Sequence, residues 1–262
     1  MAGKYAIFLD IDGTLAYSDN FPFTAVVSER NIQAIDAVRK AGHYVFFNTG
    51  RSYGWIPKEV LENAECDGVV SGVGTSITFR GESLFEDFVD KKMIKMVLQK
   101  FLPTGKTIML GGTEDVFIAN AEGDWKAPRF VKVTDADDFE TKYPDAKIQK
   151  VEVFANEFTE DEKNFLKENF SVYAYSGYHE CWNTGNSKAK AMCFVAEKLG
   201  VSIENCIAVG DSVNDIDVMK AAGISVAMGN ATDEVKAIAT YVTDACKDDG
   251  VAKILEKLIL NF

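Results

Sequence analysis

The segment Tyr5–Ile11 reads YAIFLDI, an unbroken apolar, β-branched and aromatic run that turns acidic at its end. A strand with one wet face alternates apolar and polar residues, whereas this pattern demands burial on both sides. His43–Thr49 (HYVFFNT) and Asp67–Val73 (DGVVSGV) repeat it. Between the first two runs, Ile32, Ile35 and Val38 recur at helical spacing, with Ser28 placed as N-cap and Gly42 as terminator. Doubly buried strands separated by helices predict a parallel sheet covered on both faces. The rhythm returns late in the chain. Lys188–Leu199 is predicted as a helix, Cys206–Gly210 as a strand, Asp215–Ala222 as a helix, and Ile224–Met228 and Tyr241–Thr243 as strands. Gly250–Phe262 reads as a closing amphipathic helix.

The middle follows another rule. Strand candidates there are joined by short turns, which predicts antiparallel pairing of Lys106–Leu110 with Val116–Asn120, and of Lys150–Ala155 with Ser171–Tyr175. The helices Lys91–Leu102 and Thr159–Asn169 lie among them. The expected organisation is an α/β core formed by residues 1–80 and 184–262, with an α+β domain inserted over 81–183.

Chemistry concentrates where the core strands end. In an open parallel sheet, ligand sites form beyond the carboxyl ends of the strands. The first strand ends in Asp10-Ile11-Asp12-Gly13-Thr14, and two carboxylates so close to a buried strand repel each other unless a cation intervenes. Gly210-Asp211-Ser212-Val213-Asn214-Asp215 follows another buried strand and adds two more carboxylates, four residues apart. Asp215 also suits a plain helix N-terminus, whereas Asp211 has no such role. Four carboxylates on two strand ends make a hard-cation site, and Mg2+ suits few carboxylates plus water and phosphate. Asn48-Thr49-Gly50-Arg51 offers a hydroxyl and backbone N–H groups at a strand-to-helix turn, a phosphate cradle or an ordinary turn. Lys188 opens a predicted helix, where a lone lysine is usually a solvated one.

Charge and composition narrow the partners. With 40 acidic and 28 basic residues the net charge is −12, which disfavours nucleic acid and anionic membranes. The five cysteines form no C-x-x-C pair and two histidines are too few for a His-rich metal site, so free thiols in a reducing cytoplasm are expected. The opening MAGKYAIFLDIDG turns acidic too soon for a secretory leader, and no apolar run approaches the ~20 residues of a membrane span.

D-x-D-G-T at Asp10, a strand-end Thr at Thr49, Lys188 and G-D-x-x-N-D at Asp211 stand in the order of the haloacid dehalogenase superfamily, which the chain resembles. The long insertion between the Thr and Lys motifs resembles the type-two cap of the Cof-like phosphatases. The resemblance implies a Rossmann-like α/β core with an α+β cap, and a phosphatase acting on a small phosphorylated metabolite, best guessed as a sugar phosphate. It implies that Asp10 attacks phosphorus and becomes an aspartyl phosphate, and that Asp12 acts as acid and then base. Thr49 and Lys188 would hold the phosphoryl oxygens, with further phosphate contacts from Gly13, Thr14, Gly50, Arg51 and Asn214. Mg2+ would be held by Asp10, Asp12 (through its carbonyl), Asp211 and Asp215. One departure stands out: related Cof-like chains usually carry Asn-Gly after the third strand, where this one has Ser71-Gly72-Val73-Gly74.

That S-G-V-G also suggests a dinucleotide loop, but it lacks the complete G-x-G-x-x-G and the first-strand position. His179, near Cys181 and Trp182, is read as a packed or exposed residue, and Trp125 and Arg129 beside Pro128 as cap-loop residues with no supported role. Two alternatives remain: a phosphosugar mutase, for which the cap lacks an obvious second basic cluster, and a silent phospho-metabolite sensor, against which the intact motifs argue. A receiver-type phospho-acceptor module is excluded by chain length and by the purpose of Asp12.

Overall fold

The computed structural model describes residues 3–18, 25–121 and 130–260. It separates into two compact units, one of residues 1–50, 56–84 and 187–262, the other of residues 51–55 and 85–186. The first is built on an eight-stranded sheet. Its strands are β1 (Ala6–Leu9), β2 (Tyr44–Asn48), β3 (Gly68–Ser71), β4 (Ser76–Phe79) and β5 (Glu82–Glu86), then, after the insertion, β12 (Cys206–Gly210), β13 (Ile224–Ala227) and β14 (Tyr241–Val242). The order is β14-β13-β12-β1-β2-β3-β4-β5.

Every pairing from β14 through β3 is parallel, and β4 turns back antiparallel on β3. All four residues of β1 are buried, as a central strand in a covered sheet requires. Its neighbours on either side are β2 and β12, so the two halves of the core sequence meet at the first strand. The helix α1 (Glu29–Lys40) starts on Ser28, whose side chain accepts from the Asn31 N–H, and buries Ala34, Ile35 and Val38. α2 (Lys58–Asn63) is a short connector to β3.

The second unit has a six-stranded sheet. It comprises β6 (Thr107–Gly112), β7 (Val116–Ala119), β8 (Phe130–Lys132), β9 (Ile148–Phe154), β10 (Ser171–Tyr175) and β11 (Tyr178–Trp182), in the order β10-β11-β9-β6-β7-β8. With it go α3 (Lys91–Phe101), α4 (Asp138–Lys142) and α5 (Glu160–Asn169). One sheet face supplies Ile108, Leu110, Val151, Val153 and Cys181 to a core with Ile94, Val97, Leu98 and Phe101 of α3 and Leu166 of α5. α5 is started by a capping box in which Thr159 and Glu162 satisfy each other's backbone N–H.

The predicted pairing of Lys150–Ala155 with Ser171–Tyr175 does not occur. β9 pairs with β11 and β6, and β10 reaches only β11. The strand that intervenes, Tyr178–Trp182, is joined to β10 by the two-residue turn Ser176-Gly177, with Gly177 at φ 91°. Ser-Gly between two aromatic-rich runs is a hairpin signal, and reading 178–182 as an exit loop overlooked it.

The chain returns to the first unit through α6 (Lys188–Leu199), capped by Ser187, followed by α7 (Ile216–Ala221), α8 (Asp233–Ile238) and α9 (Gly250–Leu255). α9 packs on α1, and α6 on α7. Two predicted helices are revised at their ends. Val213–Asp215 is a 3-10 turn ahead of α7, and α9 passes into a wider helical turn over Glu256–Leu260.

Candidate active site

The carboxyl ends of β1 and β12 lie side by side, because the two strands run parallel in register from Ala6 opposite Cys206 to Leu9 opposite Val209. The Asp10 N–H donates to the Val209 carbonyl at 3.0 Å, which carries the pairing one residue past the strand. Asp10 is buried, and its Oδ1 accepts from Lys188 Nζ at 2.6 Å. The same ammonium donates to Asp215 Oδ1 at 2.7 Å. Lys188, expected to be solvated if structural, has a side chain with 0% exposure.

Asp215 is bound from both sides. Its Oδ2 accepts from the backbone N–H groups of Asp211 and Ser212 at 3.1 and 3.2 Å, which folds Asp211–Asp215 into a closed turn. That turn aims Asp211 inward, where Thr14 Oγ1 donates to Asp211 Oδ1 at 3.2 Å. Carboxylate oxygens of Asp10, Asp211 and Asp215 then lie within 4.8 Å of one another.

The electrostatics follow from this crowding. Burial pushes the Asp10 carboxyl well up from its ordinary value; Lys188 opposes the rise, while Asp215, Asp211 and Asp12 add to it. Asp211 is pushed up to about 6, by burial first and Asp215 second. Burial works against charge on Lys188, but Asp10 and Asp215 outweigh it and hold the ammonium protonated. One cation therefore serves three partly buried carboxylates, with Asp12 close enough to contribute to the field. A site with surplus negative charge and all-oxygen donors fits a divalent hard cation such as Mg2+.

Glycine is required twice. Gly13 sits at φ 76°, and a Cβ on it would lie 2.5 Å from Asp211 Oδ2. Gly74 sits at φ 90°, and a Cβ there would meet the Ser187 carbonyl at 2.6 Å. The Ser71-Gly72-Val73-Gly74 segment is therefore the seat of the first turn of α6, which carries Lys188. It also reaches Thr49, whose carbonyl accepts from the Val73 N–H at 3.3 Å while the Thr49 N–H donates to Val70 O at 2.9 Å. Asn48 joins the same support, its Nδ2 donating to the Lys188 carbonyl at 3.4 Å.

The remaining predicted residues divide. Thr49 is buried at the end of β2, with Gly50 next to it. Arg51 is grouped with the inserted unit, where its Nη1 donates to Trp55 O at 3.0 Å and its guanidinium lies 5.6 Å from the Trp55 ring centre. Asn214 accepts from Ser212 Oγ at 2.6 Å within the Asp211–Asp215 turn. Asn230, overlooked in the sequence, donates to Gly13 O at 2.8 Å and lies 3.5 Å from Asp211 Oδ2, while Cys246 N–H donates to its Oδ1 at 2.8 Å. Its position in Gly229-Asn230, just beyond β13, is the strand-end signal that identified the others. His179 stacks on Phe158 at 4.0 Å, and Trp125, Pro128 and Arg129 lie outside the described residues.

Residues 7–255 match the haloacid dehalogenase-like hydrolase family. The chain is 29% identical to the 5-amino-6-(5-phospho-D-ribitylamino)uracil phosphatase YcsE of Bacillus subtilis, over 97% of this chain and 95% of that one. It is 28% identical to a phosphoglycolate phosphatase of Archaeoglobus fulgidus, over 97% and 96%. Among solved structures, a phosphatase of the same superfamily from Bacteroides thetaiotaomicron superposes with a TM-score of 0.78 at 25% identity, covering 97% of this chain and 95% of that one. Among the described residues, no helix is long and apolar enough to cross a membrane.

Proposed function

Because the chain belongs to the haloacid dehalogenase-like hydrolases and is a phosphoric monoester hydrolase, we propose that it dephosphorylates a small metabolite through a phosphate ester on Asp10. The observation that carries this reading is the single buried ammonium of Lys188 bridging Asp10 and Asp215, with Asp211 alongside. An oxygen of Asp10 attacks phosphorus while the ester P–O bond breaks, and Asp12 gives its proton to the departing oxygen. Asp12 then takes a proton from water, the water oxygen attacks phosphorus, and the bond to Asp10 breaks to release inorganic phosphate. Lys188 and Thr49 hold phosphoryl oxygens, and the burial of Lys188 keeps its charge effective.

Asp10, Asp211 and the Asp12 carbonyl would hold Mg2+, with Asp215 as a further ligand or as the group that orients Asp211. When bound, the ion neutralises phosphoryl charge as the ester enters. The inserted unit acts as the cap that chooses the leaving group. The relatives span two leaving-group chemistries, a neutral ribityl-bearing one and the small anionic glycolate, and both classes are open to a phosphatase of this design. Five unbridged cysteines suit a reducing cytoplasm.

The test is phosphate release from a panel of sugar, polyol, nucleotide and acid phosphates, with and without Mg2+. Magnesium-dependent release supports the proposal. No release from any ester, with tight binding of one, would replace it by the sensor reading.

A further inference from the structure

The second face of the inserted sheet carries a cluster that Asp10 chemistry does not use. On β9, Val151 and Val153 enter the apolar core, so Lys150 and Glu152 occupy the opposite face. Glu180 stands directly across from Glu152 on β11. Lys150 Nζ donates to Glu152 Oε1 at 2.9 Å and to Glu180 Oε1 at 2.5 Å. All three are at least nine-tenths buried, with exposures of 3%, 7% and 5% in chain order.

A purely structural ion cluster satisfies its oxygens, since a buried group without a partner is destabilising. Two oxygens here have no partner: Glu152 Oε2 and Ser52 Oγ. They belong to one patch. Gly111 pairs with Lys150 across the sheet, and a Cβ on Gly111 would lie 2.6 Å from Ser52 Oγ and 3.4 Å from Lys150 Cγ. The bare Gly111 thus leaves the surroundings of both orphan oxygens uncovered by a side chain. Arg51 also acts on Glu152 through its charge.

The formal charges of Arg51, Lys150, Glu152 and Glu180 cancel. Such a patch offers no excess positive charge to a second phosphate or to a carboxylate. An unpartnered carboxylate oxygen repels anions and accepts from hydroxyl or amine donors, and a serine hydroxyl can accept or donate. We infer that the leaving group is neutral and rich in hydroxyls, a polyol or sugar, recognised in the inserted unit by donation of a ligand hydroxyl to Glu152 Oε2 and by Ser52 Oγ. This rests on the phosphatase reading and narrows it, favouring a polyol phosphate over glycolate-like or bisphosphorylated substrates.

The experiment compares kcat/KM for sorbitol 6-phosphate and for 2-phosphoglycolate, in wild type and in Glu152→Gln, with Mg2+ present. Wild type should favour the polyol ester. In the variant, the amide oxygen should stay with Lys150 and turn an N–H2 donor towards the ligand. The polyol-to-glycolate ratio should then fall about 10- to 100-fold, the span of a hydrogen bond to a charged group. Should Glu152→Gln fail to fold, Ser52→Ala is the second variant, and the ratio should fall in the same direction. A wild-type preference for phosphoglycolate overturns the inference while leaving the phosphatase intact. So does a loss in the folded variants that is equal for both esters, which marks the cluster as structural. Absence of turnover on both esters and on the wider panel overturns the phosphatase reading itself, and the inference with it.

Discussion

Replacing Lys188 by methionine should expose how the site is held together before any substrate arrives. Methionine fills most of the space of the lysine stem, so the change is chiefly the loss of charge. In the native protein that charge lies 2.6 Å from Asp10 Oδ1 and 2.7 Å from Asp215 Oδ1, with no exposure to water. Breaking a buried ion pair from one side destabilises by about 3–5 kcal/mol, because the abandoned charge keeps its desolvation penalty. For a chain of this size that corresponds to a fall in Tm of roughly 6–20 °C. The effect should depend on pH in a defined direction. Asp10 is already raised by burial, and Lys188 is the only group lowering it, so the variant carboxyl rises further. A carboxyl raised in the folded state gives stability that is complete below its unfolded value and lost as pH climbs through its folded value. The deficit of Lys188→Met should therefore be greatest near pH 8 and shrink towards pH 5, where protonated Asp10 needs no counter-ion. The assay is urea unfolding followed by far-UV circular dichroism, with amide exchange in β1 and β12 to follow the core, both without metal. A deficit equal at pH 5 and pH 8 would refute the electrostatic argument and reduce the lysine to a packing residue.

Asp10→Asn should abolish turnover in a phosphate-release assay with the fold intact, and substantial residual activity would remove the covalent step. Asp12→Asn should be severely slowed, with phosphate accumulating on Asp10, detectable as a mass increase on the peptide that contains it; full turnover there would move the acid–base role elsewhere. Gly13→Ala should weaken Mg2+ binding and activity together, since its methyl would press on Asp211 Oδ2 and φ 76° strains any other residue; titration calorimetry with Mg2+ alone reads this apart from catalysis. Calcium should inhibit where magnesium activates, its looser coordination misplacing the phosphoryl group, and equal rates with the two ions would count against the site.

The core was legible because both of its constraints are local. YAIFL and CIAVG each announce a doubly buried strand within five residues, and the acids that follow stand at strand ends whatever the rest of the chain does. Pairing was harder to read. Nothing within Lys150–Ala155 says which strand lies beside it, and the neighbour depended on recognising Ser176-Gly177 as a hairpin turn. Lys188 illustrates a third case, since its sequence context is that of an exposed helix start. Its burial comes from Gly74 and Asn48, more than a hundred residues earlier in the chain, which seat the first turn of α6 against the ends of β2 and β3.

The same distinction explains why leaving-group selectivity escaped the sequence. Lys150-Val151-Glu152-Val153 shows the alternation of a strand with one apolar face, and the natural inference is that its charged side meets water. The structure buries that side too. Burial converts an ordinary Lys–Glu pair into a demanding one, since every oxygen removed from water needs a donor. Lys150 meets that demand for one oxygen of each acid. Glu152 Oε2 and Ser52 Oγ keep an open requirement, and a polyol supplies what is missing because each of its hydroxyls can donate without bringing charge. Substrate choice would then be set by hydrogen-bond deficits that tertiary structure creates, while the strand-end acids that the sequence displays set the reaction.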